Sequence, residues 1–168
     1  MELISRILDG SIPESLRASL PPSGSFGGRV TQDDKIARLE EVTLLEECSR
    51  KQLKAVAKIT EVIEVPAGTV LARRGDPGNE FYLIMDGSAH VELSARRRTR
   101  LKPGDYFGEM SLLDGEPRSA TVVADTAMRL LVIKRRDFST LLREAPELTQ
   151  SILVTLSRRL RQAEQALG

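Results

Sequence analysis

Cysteine occurs once, at Cys48, so the chain can form no internal disulfide. That suits a reducing, cytoplasmic setting. Histidine also occurs once, at His90, and one His with one Cys cannot build a zinc site of the usual kind. Tryptophan is absent, and Tyr and Phe together contribute 4%. No apolar run approaches the length of a membrane span. The first residues, MELISRILDG, carry early acids and lack a long apolar core, so they make a poor signal peptide. Charge of one sign is lacking too: 25 Lys and Arg stand against 24 Asp and Glu, a formal net charge of +1. Nothing in that balance calls for a nucleic-acid or membrane partner. Cys48 reads as a small buried apolar residue rather than a reactive thiol.

The remaining composition is that of a globular domain. In 168 residues, 40% are hydrophobic and 29% charged, enough for one domain with a sizeable core. Leu3, Ile4, Ile7 and Leu8 have helical spacing, broken by Gly10 and Pro13. PPSGSFGG, Pro21 to Gly28, then reads as a linker. Residues 1–28 are therefore expected to be an appendage, and residues 29–168 the domain.

Thr31 with Asp34, and Ser49 with Gln52, are N-terminal capping signals for two helices. From Ile59 the period changes. ITEVIEV, TVLARR, FYLIM and SAHVELS are short β segments punctuated by Pro66-Ala67-Gly68, RGDPGN and Asp86-Gly87, the last a strong hairpin signal. Ala89, Val91 and Leu93 alternate with His90 and Glu92, which places His90 on an exposed polar face. Arg96, Arg97, Arg98 and Arg100 fall in a hairpin and read as a solvated loop, because no aromatic residue interleaves them. SATVVA and AMRLLVIK complete a β region of about 59–134. RRDFSTLLREA and a helix opened by Pro146 occupy 135–168. The expected class is α+β: an antiparallel β-roll or jelly roll with N-terminal helices and two C-terminal helices.

The unusual segment is Gly104 to Ala124, GDYFGEMSLLDGEPRSATVVA. A short helical turn, Glu109 to Leu113, is flanked by Glu109 and Arg118. Helix N-terminal amides favour an anion, and Arg offers a fixed fork of donors for phosphate oxygens. A carboxylate accepts hydrogen bonds from a hydroxyl. Gly108 allows close approach to the backbone. The same residues also fit a surface ion pair of Arg118 with Glu109, Asp114 or Glu116, worth at most about 1 kcal/mol. No nucleophile or metal cluster accompanies Glu109 and Asp114, so no catalytic residue is assigned.

Phe107, Gly108, Glu109, then Pro117, Arg118, Ser119, Ala120 and Thr121, resemble the phosphate-binding cassette of the cyclic-nucleotide-binding domain family. LEEVTLLEECSRKQLKAVA, the Gly-punctuated strands and RRDFSTLLREAPEL resemble its helical lead-in, first strands and hinge, so the likeness spans about Asp33 to Ala166. The resemblance implies that Arg118, Ser119 and Ala120 bind the phosphate, and that Glu109, with Gly108, takes the ribose 2′-hydroxyl. It implies that Phe107, Met110, Ser111 and Leu112 line or support the pocket. A Thr at the position of Ser119 often accompanies guanine recognition in the family, so the implied ligand is cAMP, with cGMP second. In the family the last helix often covers the base, which brings Arg159, Leu156 and Leu160 forward as a lid. The implied role is a sensor acting on an unidentified effector, with no cofactor. The Leu stripe of the last helix offers a homodimer surface. The rival reading keeps the fold as an interaction or dimerisation module without a nucleotide. A catabolite-activator-type transcription factor would need a further helix-turn-helix domain, and the residues after Lys134 are already used by the hinge and last helix.

Overall fold

The computed structural model describes residues 28–167; the expectation for a helix in Met1–Leu20 lies outside them. Both N-terminal helices begin where the capping signals place them. Helix α1 (Gln32–Leu39) is closed by Thr31, whose hydroxyl accepts from the Asp34 amide at 3.1 Å while Asp34 accepts from the Thr31 amide at 2.9 Å. Helix α2 (Arg50–Lys58) repeats the device with Ser49 and Gln52. Each pair satisfies two amides that have no partner inside the helix. Between them, a turn of 3-10 helix at Thr43–Leu45 buries Leu44 and Leu45.

Eight strands follow: β1 (Thr60–Val65), β2 (Val70–Ala72), β3 (Glu80–Asp86), β4 (Ala89–Ser94), β5 (Arg97–Leu101), β6 (Tyr106–Phe107), β7 (Thr121–Ala124) and β8 (Met128–Lys134). They form two antiparallel sheets, ordered β1-β8-β3-β6 and β2-β7-β4-β5. A short helix α3 (Ser111–Asp114) interrupts them, and α4 (Arg135–Glu144) and α5 (Pro146–Leu167) close the chain. This is the α+β roll expected from the sequence.

The first sheet is buried on both faces. Phe81, Leu83, Met85, Leu131 and Ile133 pack against Leu39, Leu53, Val56, Phe138 and Ile152 of the helices. The alternate residues Tyr82, Ile84, Leu130 and Val132 pack against Ala72, Ala89 and Val122 of the second sheet. Two-sided burial explains why FYLIM and MRLLVI are continuous apolar runs rather than alternating ones. The second sheet is half-solvated.

Two expectations change here. Asp86-Gly87 joins β3 to β4, but those strands belong to different sheets, so it is a corner and not a hairpin. Ser88 is stitched instead to the β7–β8 connection: its amide donates to Thr126 Oγ1 at 3.0 Å, and its carbonyl accepts from the Asp125 amide at 2.9 Å. Gly87, at φ +88°, lies where a Cβ would meet the Ala127 carbonyl. The second change is at Arg97–Leu101, which forms β5, a true hairpin partner of β4, rather than a loop. It is the outer strand of its sheet, and charge on an exposed edge opposes pairing with other chains.

Candidate ligand-binding site

β6 delivers Phe107 to the mouth of the roll, stacked on Tyr82 with ring centroids 5.0 Å apart. Burial pushes the Tyr82 phenol above its ordinary pKa, with the Glu80 charge adding to the effect. Tyr106, one residue earlier, anchors the strand to the N-terminal helices by accepting from the Thr43 amide at 3.1 Å and bonding the Thr43 hydroxyl. The backbone then reverses at Gly108, φ +85°. Helix α3 starts at Ser111, later than the expected Glu109, so Glu109 and Met110 lie in the turn before it.

The result is a cleft of about 310 Å³. Its floor is apolar: Ala72, Val91, Phe107 and Val122, drawn from four strands. Its rim is the segment Gly108–Ser111 with Asp114 and Glu116–Ala120. Arg118 is 9% exposed. Its Nη2 donates to the Glu80 carbonyl at 2.5 Å and approaches Glu80 Oε2 at 3.4 Å, and its guanidinium lies 6.0 Å from the Tyr82 ring centroid. Its own backbone is pinned by the β2–β3 loop: the Arg118 amide donates to Asp76 O at 2.8 Å, and its carbonyl accepts from the Gly75 amide at 2.9 Å. None of the surface pairings open from the sequence forms the ion pair of Arg118; Glu80 does. Gly108 makes room for this arginine, because a Cβ there would stand 2.5 Å from Arg118 Nη1 and 2.6 Å from the Glu80 carbonyl.

Glu109 lines the same cleft. Its carboxylate lies 3.8 Å from Arg159 Nη2 of α5, and Arg159 Nη1 lies 3.9 Å from Met110 Sδ. Arg159 therefore reaches the rim, 49 residues away from Met110 in sequence. Of the other expected lid residues, Leu156 packs partly into the core and Leu160 is 62% exposed; neither lines the cleft. Leu112 is buried in the core beneath the cassette, which it supports rather than lines. Ser119 is exposed on the rim and Ala120 half-buried beside it. Sequence reasoning missed Glu80 and the floor residues Ala72, Val91 and Val122. The inward alternation of β4 and β7 was the available signal for Val91 and Val122; nothing marked Glu80.

The cleft thus presents a buried cation, a carboxylate and an apolar floor. It fits a small ligand with an anionic group, a hydroxyl and a flat apolar body.

His90 is not simply exposed. Its Nδ1 lies 2.6 Å from Asp125 Oδ1 and its Nε2 3.3 Å from Glu92 Oε1, with Arg98 and Arg100 opposite on β5. The hydrogen bond to Asp125 raises its pKa above the ordinary value; burial and Arg98 oppose the rise. The folded state therefore binds this proton more tightly than the unfolded chain. Its contribution is complete below about pH 6.5 and is lost as pH rises through the folded pKa. Urea midpoints measured across this window should fall with pH in the wild type and fall less in His90→Gln. Equal slopes would remove His90 as the source. Cys48 is half-buried, and burial with the Glu47 charge pushes its thiol up to about 11, so it stays protonated near neutrality.

Among the described residues no group of three or more His, Cys, Asp or Glu could hold a metal ion, and no helix is long and apolar enough to cross a membrane.

Comparison with known proteins supplies the family context. The family model described as cyclic nucleotide-binding domain matches residues 62–145. A cyclic nucleotide-gated potassium channel of Mesorhizobium japonicum is 37% identical over 109 residues, 65% of this chain and 30% of the channel. The cAMP-dependent protein kinase regulatory subunit of Schizosaccharomyces pombe is 37% identical over 114 residues, 67% of this chain and 28% of that protein. The chain thus spans about three-tenths of these curated relatives. Among solved structures, the N-terminal domain of a transcriptional regulator from Streptomyces coelicolor superposes with a TM-score of 0.69 at 28% identity, covering 78% of this chain and 95% of that one.

Proposed function

Because the chain belongs to the cyclic nucleotide-binding domain family, we propose that it is a sensor that binds cAMP in the cleft between Arg118 and Glu109. The observation that carries this reading is Arg118, a nearly buried guanidinium held at the cleft end with Gly108 cleared beside it. The cyclic phosphate engages Arg118 together with the Ser119 and Ala120 backbone and the Ser119 hydroxyl. An anion there competes with Glu80 for the guanidinium fork, and charge-assisted contacts of this kind are among the strongest available. The ribose 2′-hydroxyl donates to Glu109, replacing the 3.8 Å contact with Arg159. The purine lies on the floor of Ala72, Val91 and Val122, and Arg159 turns over its face as the lid, a planar cation on a π system.

The floor offers no hydrogen-bonding side chain to the base, so choice between purines falls to the rim. Ser rather than Thr at 119 favours cAMP, with cGMP second. A regulatory subunit named for its dependence on cAMP is among the relatives, which supports the same choice. Signalling follows from differential binding: the ligand favours whichever placement of α5 brings Arg159 onto it. Residues 29–168 form the sensing domain in this reading, residues 1–28 an appendage, and the setting is cytoplasmic. The role is regulatory rather than catalytic.

The test is calorimetric titration of the purified chain with cAMP and cGMP. Saturable binding of cAMP, tighter than cGMP, is expected. Failure of both to bind below about 1 mM, an affinity of only about 4 kcal/mol, would leave the fold as a module without a nucleotide.

A further inference from the structure

The outer strands are β1 and β6 in the first sheet and β2 and β5 in the second. β2 and β6 span only three and two residues. β1 is longer, and its carboxylates are engaged: Glu61 lies 3.8 Å from Lys134 and Glu64 3.7 Å from Arg129. β5 differs. It pairs with β4 on one side and has no strand on the other. Residues 94–102 carry Arg96, Arg97, Arg98, Arg100 and Lys102 and no acid, in a chain whose net charge is only +1. Residues 96–100 are all exposed. Among the described residues none of these arginines has an ion-pair partner; Glu92, opposite Arg98, turns instead to His90 Nε2 at 3.3 Å.

We propose that β5 is a docking edge for an acidic segment of a partner protein, which joins the second sheet as a further extended strand. An outer strand presents a row of backbone donors and acceptors that another strand can fill along its length. The arginines decide which strand. Arg98 and Arg100 stand opposite Glu92 and His90 on one face of the sheet, and alternation places Arg97 and Thr99 on the other, with Val91. An incoming strand with carboxylates at alternate positions sets them beside Arg98 and Arg100 at cross-strand distance. A neutral strand leaves those charges uncompensated, and a basic one, such as β5 of a second copy, is repelled. The arginines that blunt the edge against self-pairing therefore select an acidic partner. A nucleic acid fits less well, because no aromatic residue stands among the arginines to stack a base. An anionic bilayer makes no use of the open backbone edge. The docking edge stands whether or not the cleft takes a nucleotide.

Fluorescence anisotropy of the whole chain with a labelled peptide of about eight residues, alternating Glu and Thr and long enough to span β5, tests this. Saturable binding below about 1 mM is expected, weakening at least tenfold from about 50 to 500 mM salt. The same peptide N-methylated at every amide keeps its charge but cannot donate along the edge, and should bind at least about tenfold more weakly. Arg98→Glu/Arg100→Glu should cost at least about tenfold in affinity. It should keep the wild-type thermal melt, since both side chains are exposed. Independently of any variant, the amide resonances of Arg97–Leu101 should shift when the peptide is added to the wild-type chain. Absence of binding below about 1 mM, or shifts confined to other strands, overturns the proposal; equal binding of the N-methylated peptide overturns strand addition. Phosphatidylserine vesicles and an oligouridylate are the competing probes, and tighter binding of either than of the peptide overturns the choice of partner.

Discussion

Arg118→Ala is expected to lower cAMP affinity by at least about 2 kcal/mol, roughly thirtyfold. The magnitude follows from where the side chain sits. Arg118 is 9% exposed, so its contact with an anion is made largely out of water, where a charge-assisted hydrogen bond is at its strongest. The guanidinium is preorganised by the Glu80 carbonyl and carboxylate and by the Tyr82 ring. Little conformational entropy remains to be lost when the ligand arrives. Arg118→Lys keeps the charge but loses the fork, and should fall between wild type and Ala. Calorimetry on the three proteins checks the order, and their thermal melts separate a binding loss from a folding loss. Unchanged affinity in Arg118→Ala would move the phosphate elsewhere.

Gly108→Ala should damage the fold and the site together. At φ +85° an L-residue is strained, a cost of about 1 to 3 kcal/mol. The added methyl also has no space: it would lie 2.5 Å from Arg118 Nη1 and 2.6 Å from the Glu80 carbonyl. Arg118 is the softer neighbour and gives way, while the carbonyl belongs to β3 at the centre of a sheet. The expected loss of stability is about 2 to 3 kcal/mol, read from the urea midpoint. Displacement of Arg118 should cost cAMP affinity at least tenfold, about 1.4 kcal/mol. A variant with wild-type midpoint and wild-type affinity would show that neither the backbone conformation nor the clearance matters.

Local signals proved readable wherever the physics was local. The capping boxes of Thr31 with Asp34 and Ser49 with Gln52 are closed between residues three apart, and both form as expected. Pro146 opens α5 because its missing amide is no loss there. FYLIM and MRLLVI read as strands, and their continuous apolar character already carried their two-sided burial. Asp86-Gly87 misled because a tight turn specifies a change of direction and not the strand that lies beside it afterwards. The hydrogen bonds of Ser88 to Asp125 and Thr126 decide that, and they span 37 and 38 residues.

The site divides the same way. Phe107, Gly108, Glu109 and Arg118 stand in one short segment, so the sequence by itself placed an arginine and a carboxylate on either side of a tight turn. It determined the β-roll as well, through strand period and turn residues. Only the tertiary structure decided what Arg118 rests on, because Glu80 comes from β3, 38 residues earlier, and no local pattern links the two. Only the tertiary structure brought together Ala72, Val91 and Val122 from three strands as a floor, and carried Arg159 across to Glu109. It also divided the last helix: Leu148 and Ile152 face the domain, while Leu153, Leu160 and Leu167 face away from it. Helical periodicity tells which residues share a face, and the packing of the rest of the chain tells which face is covered.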